Sequence, residues 1–159
     1  MKNWKQYKNE IKFSKNGWVD NWFSNMIEVD IIINEKTYKS IENYYQSEKM
    51  TNDKDKEYIA NLSPQQSKKE ARKLSIRKDW DTYKFIAMRT ALEAKFSIPK
   101  WKKKLLSTGN DMIIEWNNWN DKFWGVSIND NLGHNHLGLM LMDIRQNYKL
   151  NNLFLIKKK

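Results

Sequence analysis

The chain has 159 residues, a formal net charge of +10 at neutral pH and an aromatic content of 13%. It has no cysteine, which excludes disulfides, a thiolate nucleophile and a thiolate metal site, and its 2 histidines argue against a His-rich metal centre. No apolar run reaches the roughly 18 residues that a membrane-spanning helix needs, and residues 1–5 show no apolar signal core, so we expect a cytoplasmic protein without membrane contact.

The positive charge attracts anions, either the phosphates of a small ligand or a nucleic-acid backbone. A Lys-rich and Asn-rich composition also produces this charge without selection for binding, so nucleic acid stays one open partner. The apolar content of 40% suits a folded core, and we find no repeat and no linker. The whole chain, 1–159, is therefore predicted to be one domain with a basic tail at 150–159.

The first predicted elements are strands and an aromatic loop. A strand is predicted near 10–14, and turn-forming and aromatic residues over 17–25 indicate a loop. Apolar residues alternate over 27–33, which is typical of a strand. The turn at 34–36 then folds this strand into a hairpin with a short strand at 37–38.

Helices follow the hairpin. The first is predicted from 40 to 50, and Asn52 is expected to cap a second that ends at Asn61. Ser63, with Pro64 and Gln66 behind it, predicts a capping box at the start of a third helix. This third helix and the residues after it carry the densest basic patch, which is formed by Lys68, Lys69, Arg72, Lys73, Arg77 and Lys78. A solvated helix face is the alternative interpretation of that patch.

The second half is predicted to be mainly helical. Apolar residues at spacings of three and four predict a central, widely buried helix over 80–97. Pro99 opens a short amphipathic helix that ends near Gly109. A strand is predicted over 112–116.

Two loops, 117–125 and 129–134, then lead to a last helix over 135–148. Together the elements predict an α+β fold, helix-rich with a small antiparallel β-sheet.

The first helix carries a group of polar side chains. At about 100° per residue, Glu42, Gln46 and Lys49 fall within roughly 60° of one another. A neighbouring apolar sector can seat the helix on a core. A carboxylate, an amide and an ammonium group therefore project together, and a solvated face with a surface ion pair is the alternative.

Other candidate residues lie in aromatic surroundings. The sequence has no metal signature, phosphate-binding glycine loop or Ser/His/Asp arrangement. A Trp beside a carboxylate, as with Trp124 and Asp121, could stack on a nucleobase while the acid acts on the sugar. Exposed carboxylates and core Trp residues explain most such pairs. The remaining polar candidates are Ser24, Asn25, Glu115 and Asn135.

A series of segments, in order and at compatible spacings, resembles the successive motifs of the NADAR family. They are Phe23-Ser24-Asn25; Ser40-x-Glu42-x-Tyr44-Tyr45-Gln46-x-x-Lys49; Trp80, Lys84, Met88 and Ala91-Leu92-x-Ala94-Lys95-Phe96; Leu105-Leu106-x-Thr108-Gly109; Ile114-Glu115; Asp121-x-x-Trp124-Gly125; and Gly133-x-Asn135-x-Leu137-Gly138-x-x-Leu141-Met142-x-x-Arg145. The motifs span about residues 23–145. The chain departs from the family pattern at Asn43, where many members have His.

The resemblance implies an N-glycosidase that hydrolyses a ribosyl–base bond, without a metal or redox cofactor. Its expected substrate is a phosphorylated ribosyl compound, an early intermediate of riboflavin biosynthesis. Two alternatives stay open: a glycohydrolase that removes ADP-ribose from modified guanine in nucleotides or nucleic acid, and a module that binds ADP-ribose without catalysis. The oligomeric state is left open.

The resemblance also suggests residue roles. Glu42 is the first choice for the carboxylate that stabilises the oxocarbenium-like transition state, and Asp121 or Glu115 would position water or assist the base. Trp124 would be the stacking wall. Lys49 would orient Glu42 and bind phosphate, or, as a rarer role, act as an amine nucleophile after its pKa is lowered by burial.

Further ligand contacts are expected in the same motifs. Arg145 has a structural alternative, an ion pair at a helix end. The expected ligand-binding residues, besides Trp124, are Ser24, Asn25, Gln46, Gly125, Asn135 and Arg145.

Overall fold

The computed structural model describes residues 1–4, 10–13 and 21–156. The chain forms two compact units, which we name the sheet unit (Met1–Ser24 and Pro99–Lys159) and the helical unit (Asn25–Ile98). Ser14, the first part of the predicted aromatic loop (17–20) and the last three lysines of the basic tail lie outside the described residues.

The elements confirm the helix-rich α+β class. In chain order, the strands are β1 (Lys2–Asn3), β2 (Glu10–Phe13), β3 (Ile31–Ile33), β4 (Lys36–Tyr38), β5 (Met112–Asn117), β6 (Val126–Ser127) and β7 (Leu132–Gly133). The α-helices are α1 (Ile41–Ser47), α2 (Asp53–Asn61), α3 (Pro64–Glu70), α4 (Trp80–Ser97), α5 (Pro99–Ser107) and α6 (His136–Ile156), with short 3₁₀ helices at Asn21–Phe23 and Ala71–Lys73.

The sheet unit contains a five-stranded sheet with the order β1-β7-β6-β5-β2. Strand β5 runs parallel to both β2 and β6, whereas β7 is antiparallel to β6 and to β1. The sheet is therefore mixed, which corrects the expectation of an antiparallel sheet. Alternating apolar residues indicate a strand but carry no information about its direction.

Strand β5 supplies the core of this unit. Its residues Ile114 and Trp116 pack with Trp4 and Val126 in a buried cluster. The indole Nε1 of Trp4 donates a hydrogen bond to the Gly133 carbonyl oxygen at 2.9 Å, which satisfies its polar atom inside the core. Segments from the beginning and the later part of the chain are thereby packed against β5.

Helix α6 is longer than predicted. The expected helix ended at Tyr148, but the observed one continues to Ile156. The side chain of Lys149 donates to the Gly109 carbonyl oxygen and, at 2.8 Å, to Asn110 Oδ1. These bonds hold the additional turns against the segment that follows α5.

The hairpin of the helical unit is antiparallel, as predicted. Asn34 and Glu35 both have positive φ angles, of 50° and 65°, which is the backbone geometry of a tight two-residue hairpin turn. The strand predicted over 27–33 is only three residues long, and this corrects its start. Strand β4 offers partners to Ile31–Ile33 alone, so the regular ladder ends there.

The predicted helix starts of this unit are confirmed. The Asn52 side chain accepts the Asp55 backbone N–H at 2.8 Å, and Ser63 and Gln66 form the capping box. Helix α1, however, ends at Ser47 rather than near Met50. The N–H groups of Lys49 and Met50 donate to carbonyl oxygens three residues earlier instead of four, which is the 3₁₀ pattern.

Helix α4 has the predicted bounds but not the predicted extent of burial. Its buried apolar residues begin at Ala87, and Ile86 is 59% exposed. Only the second half of the helix is therefore a core element. Within the described part of the chain, no helix combines the length and the apolarity that crossing a bilayer requires.

We expect Gly138→Ala to destabilise the protein by about 1–3 kcal/mol through overpacking. The added Cβ would lie 2.1 Å from the Ile113 carbonyl oxygen and 2.6 Å from both amide atoms of Asn135. A Gly→Ala change inside a helix is otherwise favourable by about 1 kcal/mol, so the expected sign is opposite to that of helix propensity. Urea unfolding measures the difference.

Gln146→Ala, at an exposed position of the same helix, is the control and should change stability little. A stabilising effect of Gly138→Ala would contradict the close approach of α6 to β5.

Candidate active site

A buried carboxylate lies at the start of α1. The Ser40 side chain caps this helix by accepting the Asn43 backbone N–H at 3.1 Å. Glu42 is 5% exposed, and its Oε1 accepts a hydrogen bond from Gln46 Nε2 at 2.7 Å. Because both residues are buried and four positions apart, Gln46 fixes the orientation of the carboxylate.

Cationic side chains lie near this carboxylate. Lys68 Nζ lies 3.9 Å from Glu42 Oε1. Burial lowers the pKa of Lys49 from 10.5 to about 8; Glu42 opposes this shift, whereas Lys68 and Arg72 add to it. The group therefore has one carboxylate and more than one cation, and its net positive charge suits an anionic ligand.

Aromatic rings form one side of the same group. Lys49 Nζ lies 5.3 Å from the ring centre of Tyr45 and 5.5 Å from that of Trp80. The two rings meet edge to face, with their centres 5.0 Å apart. They contribute to the burial of the ammonium group, and burial is the largest cause of its lowered pKa.

Two amide oxygens in the helical unit are buried without a hydrogen-bond partner. One is Gln46 Oε1 and the other is Asn25 Oδ1. The Asn25 carbonyl oxygen accepts the Glu42 backbone N–H at 3.0 Å, so this residue lies at the first turn of α1. An unpaired buried acceptor costs about 1–3 kcal/mol, and both oxygens are therefore suited to accept a hydrogen bond from a ligand.

Asn43, the departure from the family pattern, is fully buried and has a structural environment. Its Oδ1 accepts the Ser40 hydroxyl at 2.7 Å, and its Nδ2 donates to the carbonyl oxygens of Ala60 and Leu62 at 3.3 and 2.8 Å. Both ends of the amide are thus used to join the start of α1 to the end of α2.

In the sheet unit, Asp121 organises the loop that contains Trp124. Its Oδ1 accepts the backbone N–H groups of Phe123 and Trp124, both at 3.0 Å. The Asn117 side chain closes the loop from the other side, since its Oδ1 accepts the Asp121 N–H at 2.8 Å. The carboxylate therefore holds the Trp124 backbone in place.

An aromatic cluster surrounds Trp124. The Phe123 ring centre lies 5.1 Å from that of Trp124 and 4.7 Å from that of His136. His136 and His134 stack with an interplanar angle of 3°. Trp124 alone was predicted as a stacking wall; the two histidines beside it were not, although their spacing of two residues next to a helix start is a sequence signal.

Glu115, Gly125 and Asn135 are neighbours in the sheet unit. A Cβ on Gly125 would lie 2.5 Å from the Glu115 carbonyl oxygen, so only glycine permits this approach. Asn135 is fully buried; its Oδ1 accepts the Glu115 N–H at 3.1 Å and its Nδ2 donates to the Ile113 carbonyl oxygen at 2.9 Å. The Asn135 side chain thus positions the start of α6 against β5.

Arg145 and Ser24 are also buried in the sheet unit. Arg145 donates to Thr108 Oγ1 at 2.7 Å and to the Asp111 carbonyl oxygen at 2.9 Å. Burial lowers its pKa, and the nearby Asp111 carboxylate opposes this shift. The observed contacts are those of a structural residue, although the partners are a hydroxyl and a carbonyl rather than the ion pair considered above.

The candidate residues thus form two local sets. Glu42, Gln46 and Lys49 are together in the helical unit, as the helical spacing predicted. The sheet unit carries a second set, namely Ser24, Glu115, Asp121, Trp124, Gly125, Asn135 and Arg145. In the residues that the structure describes, no three His, Asp or Glu side chains are grouped so that they could hold a metal ion.

Comparison with known proteins gives a family and relatives. The NADAR domain profile matches residues 4–149. N-glycosidase Npun_R5314 of Nostoc punctiforme is 34% identical over 131 residues, which cover 78% of this chain and 83% of that protein. N-glycosidase YbiA of Escherichia coli is 34% identical over 128 residues, covering 78% and 79%.

Two further proteins are similar. A chloroplastic riboflavin biosynthesis protein of Zea mays, PYRR, is 29% identical over 123 residues, which cover 69% of this chain and 19% of that protein. The NMR structure of E. coli YbiA matches with a TM-score of 0.78 at 28% identity, and the match covers 95% of this chain and 93% of that one. The similarity in fold therefore extends over nearly the whole chain.

We expect the pKa of Lys49 to shift in opposite directions when a positively or a negatively charged neighbour is removed. Lys68→Met should raise it from about 8, because a repelling charge is lost, and Glu42→Gln should lower it, because an attracting charge is lost. NMR titration of ¹³C-dimethylated lysines measures the value, with Lys49→Arg to assign the signal.

Lys69→Met, which changes the exposed residue next to Lys68, is the matched control and should leave the titration unchanged. A Lys49 pKa near 10.5 in the unmodified sequence would contradict the described burial of its ammonium group.

Proposed function

Since this chain belongs to the NADAR domain family, we propose that it hydrolyses the ribosyl–base bond of early riboflavin-biosynthesis intermediates, the ribosylaminopyrimidine phosphates. At the coarser level the chain is an N-glycosidase, a hydrolase that acts on N-glycosyl bonds, as its relatives are named. The riboflavin substrate is supported by the similarity to the plant riboflavin biosynthesis protein.

The buried Glu42 carboxylate is the observation that carries the proposal. Breaking the C1′–N bond leaves positive charge on the ribose, and a fixed carboxylate stabilises this charge. Gln46 holds Glu42 Oε1 in one orientation, so little reorganisation is needed during the reaction. Water then forms the new C1′–O bond, and the base departs with the proton that the water loses.

The cations near Glu42 fit the phosphate of the substrate. Lys68 and Arg72 lie close enough to Lys49 to lower its pKa, so their positive charge is concentrated on one side of α1. A phosphate would neutralise this charge and hold the sugar at the carboxylate. Asn25 Oδ1 and Gln46 Oε1 would accept hydrogen bonds from ribose hydroxyls.

We also propose roles for the residues of the sheet unit. Trp124 would stack on the pyrimidine, and Asp121 would keep its backbone in place through two hydrogen bonds. Glu115 or Asp121 would position water or assist the departing base. Four further residues are proposed to lie around the ligand, namely Ser24, Gly125, Asn135 and Arg145. Of these, Asn135 and Arg145 act indirectly, through the backbone and side chains that they hold in place.

A second candidate is the removal of ADP-ribose from ADP-ribosylated guanine. The cluster of Lys49, Lys68 and Arg72 favours it, because the two phosphates of ADP-ribose offer anionic oxygens to several cations at once. A third candidate, binding of ADP-ribose without catalysis, is weakened by the presence of a fixed, buried carboxylate beside the cations.

We expect Glu42→Gln to lower kcat/KM by about 100-fold or more, a typical loss when one transition-state charge contact is removed. The assay offers a ribosylaminopyrimidine phosphate and an ADP-ribosylated guanine oligonucleotide to the wild type and the variant. Release of ribose phosphate from the first alone supports the proposed function. Release of ADP-ribose from the second alone supports the second candidate.

Glu70→Gln, which removes the partner of Lys73 on α3, is the matched control and should keep wild-type turnover. If Glu42→Gln folds normally and retains near-wild-type turnover, Glu42 is not the catalytic carboxylate. Binding of ADP-ribose without turnover of either substrate would leave only the third candidate.

The pH profile distinguishes the two roles of Lys49. With a pKa of about 8, the side chain is cationic at lower pH and loses its proton as the pH rises through that value. If the ammonium binds phosphate, KM should rise above pH of about 8 with kcat little changed. A kcat that rises through the same range, with a borohydride-trapped adduct on Lys49, would show the amine to be a nucleophile.

A further inference from the structure

Three of the six cations in the basic patch predicted at 68–78 are paired with carboxylates in the helical unit. Lys68 lies 3.9 Å from Glu42, Lys73 Nζ lies 2.7 Å from Glu70, and Arg77 contacts Asp79 at 2.6 Å. Pairing reduces the positive field that these residues present to a large anion. The net positive charge of this patch is therefore smaller than its sequence suggests.

Helix α5, in the sheet unit, carries cations without counter-ions. Its nine residues include Lys100, Lys102, Lys103 and Lys104 and no acidic residue. Across the segments that the structure describes, no carboxylate lies within salt-bridge distance of these four lysines. The helix is thus a local concentration of uncompensated positive charge.

Three of these lysines share one face. At about 100° per residue, Lys100, Lys103 and Lys104 fall within an arc of roughly 100°, opposite the side on which Leu105 is buried. Neighbours at spacings of three and four repel one another when their charges are alike. A bound polyanion would relieve this repulsion.

Aromatic rings lie between the lysines. Lys104 Nζ is 5.4 Å from the ring centres of both Trp22 and Trp101, and Lys100 Nζ is 5.3 Å from that of Trp101. Both tryptophans are half-buried, and the Trp22 ring is itself stacked on Phe23, with the ring centres 3.8 Å apart. Interleaved cations and aromatic faces are the combination that binds phosphates and unstacked bases together.

We propose that this face of α5, formed by Lys100, Lys103 and Lys104 with Trp22 and Trp101, binds single-stranded nucleic acid. The lysines contact backbone phosphates, and the tryptophans stack with exposed bases. In a duplex the bases are stacked on one another, so their faces are not accessible to the tryptophan rings. A membrane is disfavoured because the apolar side of α5 is turned inward at Leu105, and an interfacial helix needs that side free.

The test is fluorescence anisotropy with a labelled single-stranded oligothymidylate and its duplex with oligoadenylate, at several salt concentrations. Lys100→Gln/Lys103→Gln/Lys104→Gln should weaken single-strand binding about 10-fold or more and reduce the salt slope by about 2, since three phosphate contacts are lost. Lys→Arg changes at the same three positions should keep the binding.

The matched control is Lys69→Gln/Lys73→Gln/Lys78→Gln, which removes the same charge from the helical unit and should weaken binding much less. Trp101→Leu leaves the charge unchanged and should weaken binding about fivefold or more without altering the salt slope. Thermal unfolding of each variant checks that the fold is kept.

Equal weakening by the two glutamine triples would overturn the proposal, because net charge alone would then explain binding. Tighter binding of the duplex, or binding of phosphatidylglycerol vesicles without binding of the oligonucleotide, would also overturn it. So would the absence of oligothymidylate binding at 0.1 M salt, a concentration at which a protein with several phosphate contacts remains bound.

Discussion

The burial of Glu42 is the constraint on which the candidate active site depends. A carboxylate that is 5% exposed is costly unless hydrogen bonds and opposite charges compensate it. Gln46 supplies the hydrogen bond and Lys68 part of the charge. Burial lowers the pKa of the neighbouring Lys49 to about 8, and Lys68 and Arg72 add to this shift, whereas the buried Glu42 carboxylate opposes it.

Polar motif residues in the sheet unit serve a different purpose. Both ends of the Asn135 amide form hydrogen bonds with the β5 backbone, and one Asp121 carboxylate oxygen accepts two backbone N–H groups. Arg145 joins Thr108 to the segment before β5. Their hydrogen bonds fix loops and helix starts. Hydrogen-bond partners therefore distinguish the motif residues that hold the backbone in place from Glu42, which we propose as catalytic.

Local signals in the sequence predicted the local structure well. The caps at Asn52 and Ser63, and the end of α4 before Pro99, follow from residues within one turn of each boundary. The parallel alignment of β5 depends on where distant chain segments return, and no local pattern encodes this. The same limit applies to the site. Helical spacing predicted Glu42 and Lys49 as neighbours, but Lys49 lies beyond the end of α1, and the burial that lowers its pKa involves residues distant in sequence, such as Trp80.

The distribution of charge shows why composition is a weak guide to binding. A net charge of +10 says nothing about which cations are compensated. Residues 68–78 look most basic in the sequence, yet Lys68, Lys73 and Arg77 have carboxylate partners, whereas the α5 lysines have aromatic neighbours instead. An ion pair satisfies a cation, but a ring leaves its charge available to a phosphate. It is the unpaired cations, therefore, and not the total, that determine where a polyanion binds.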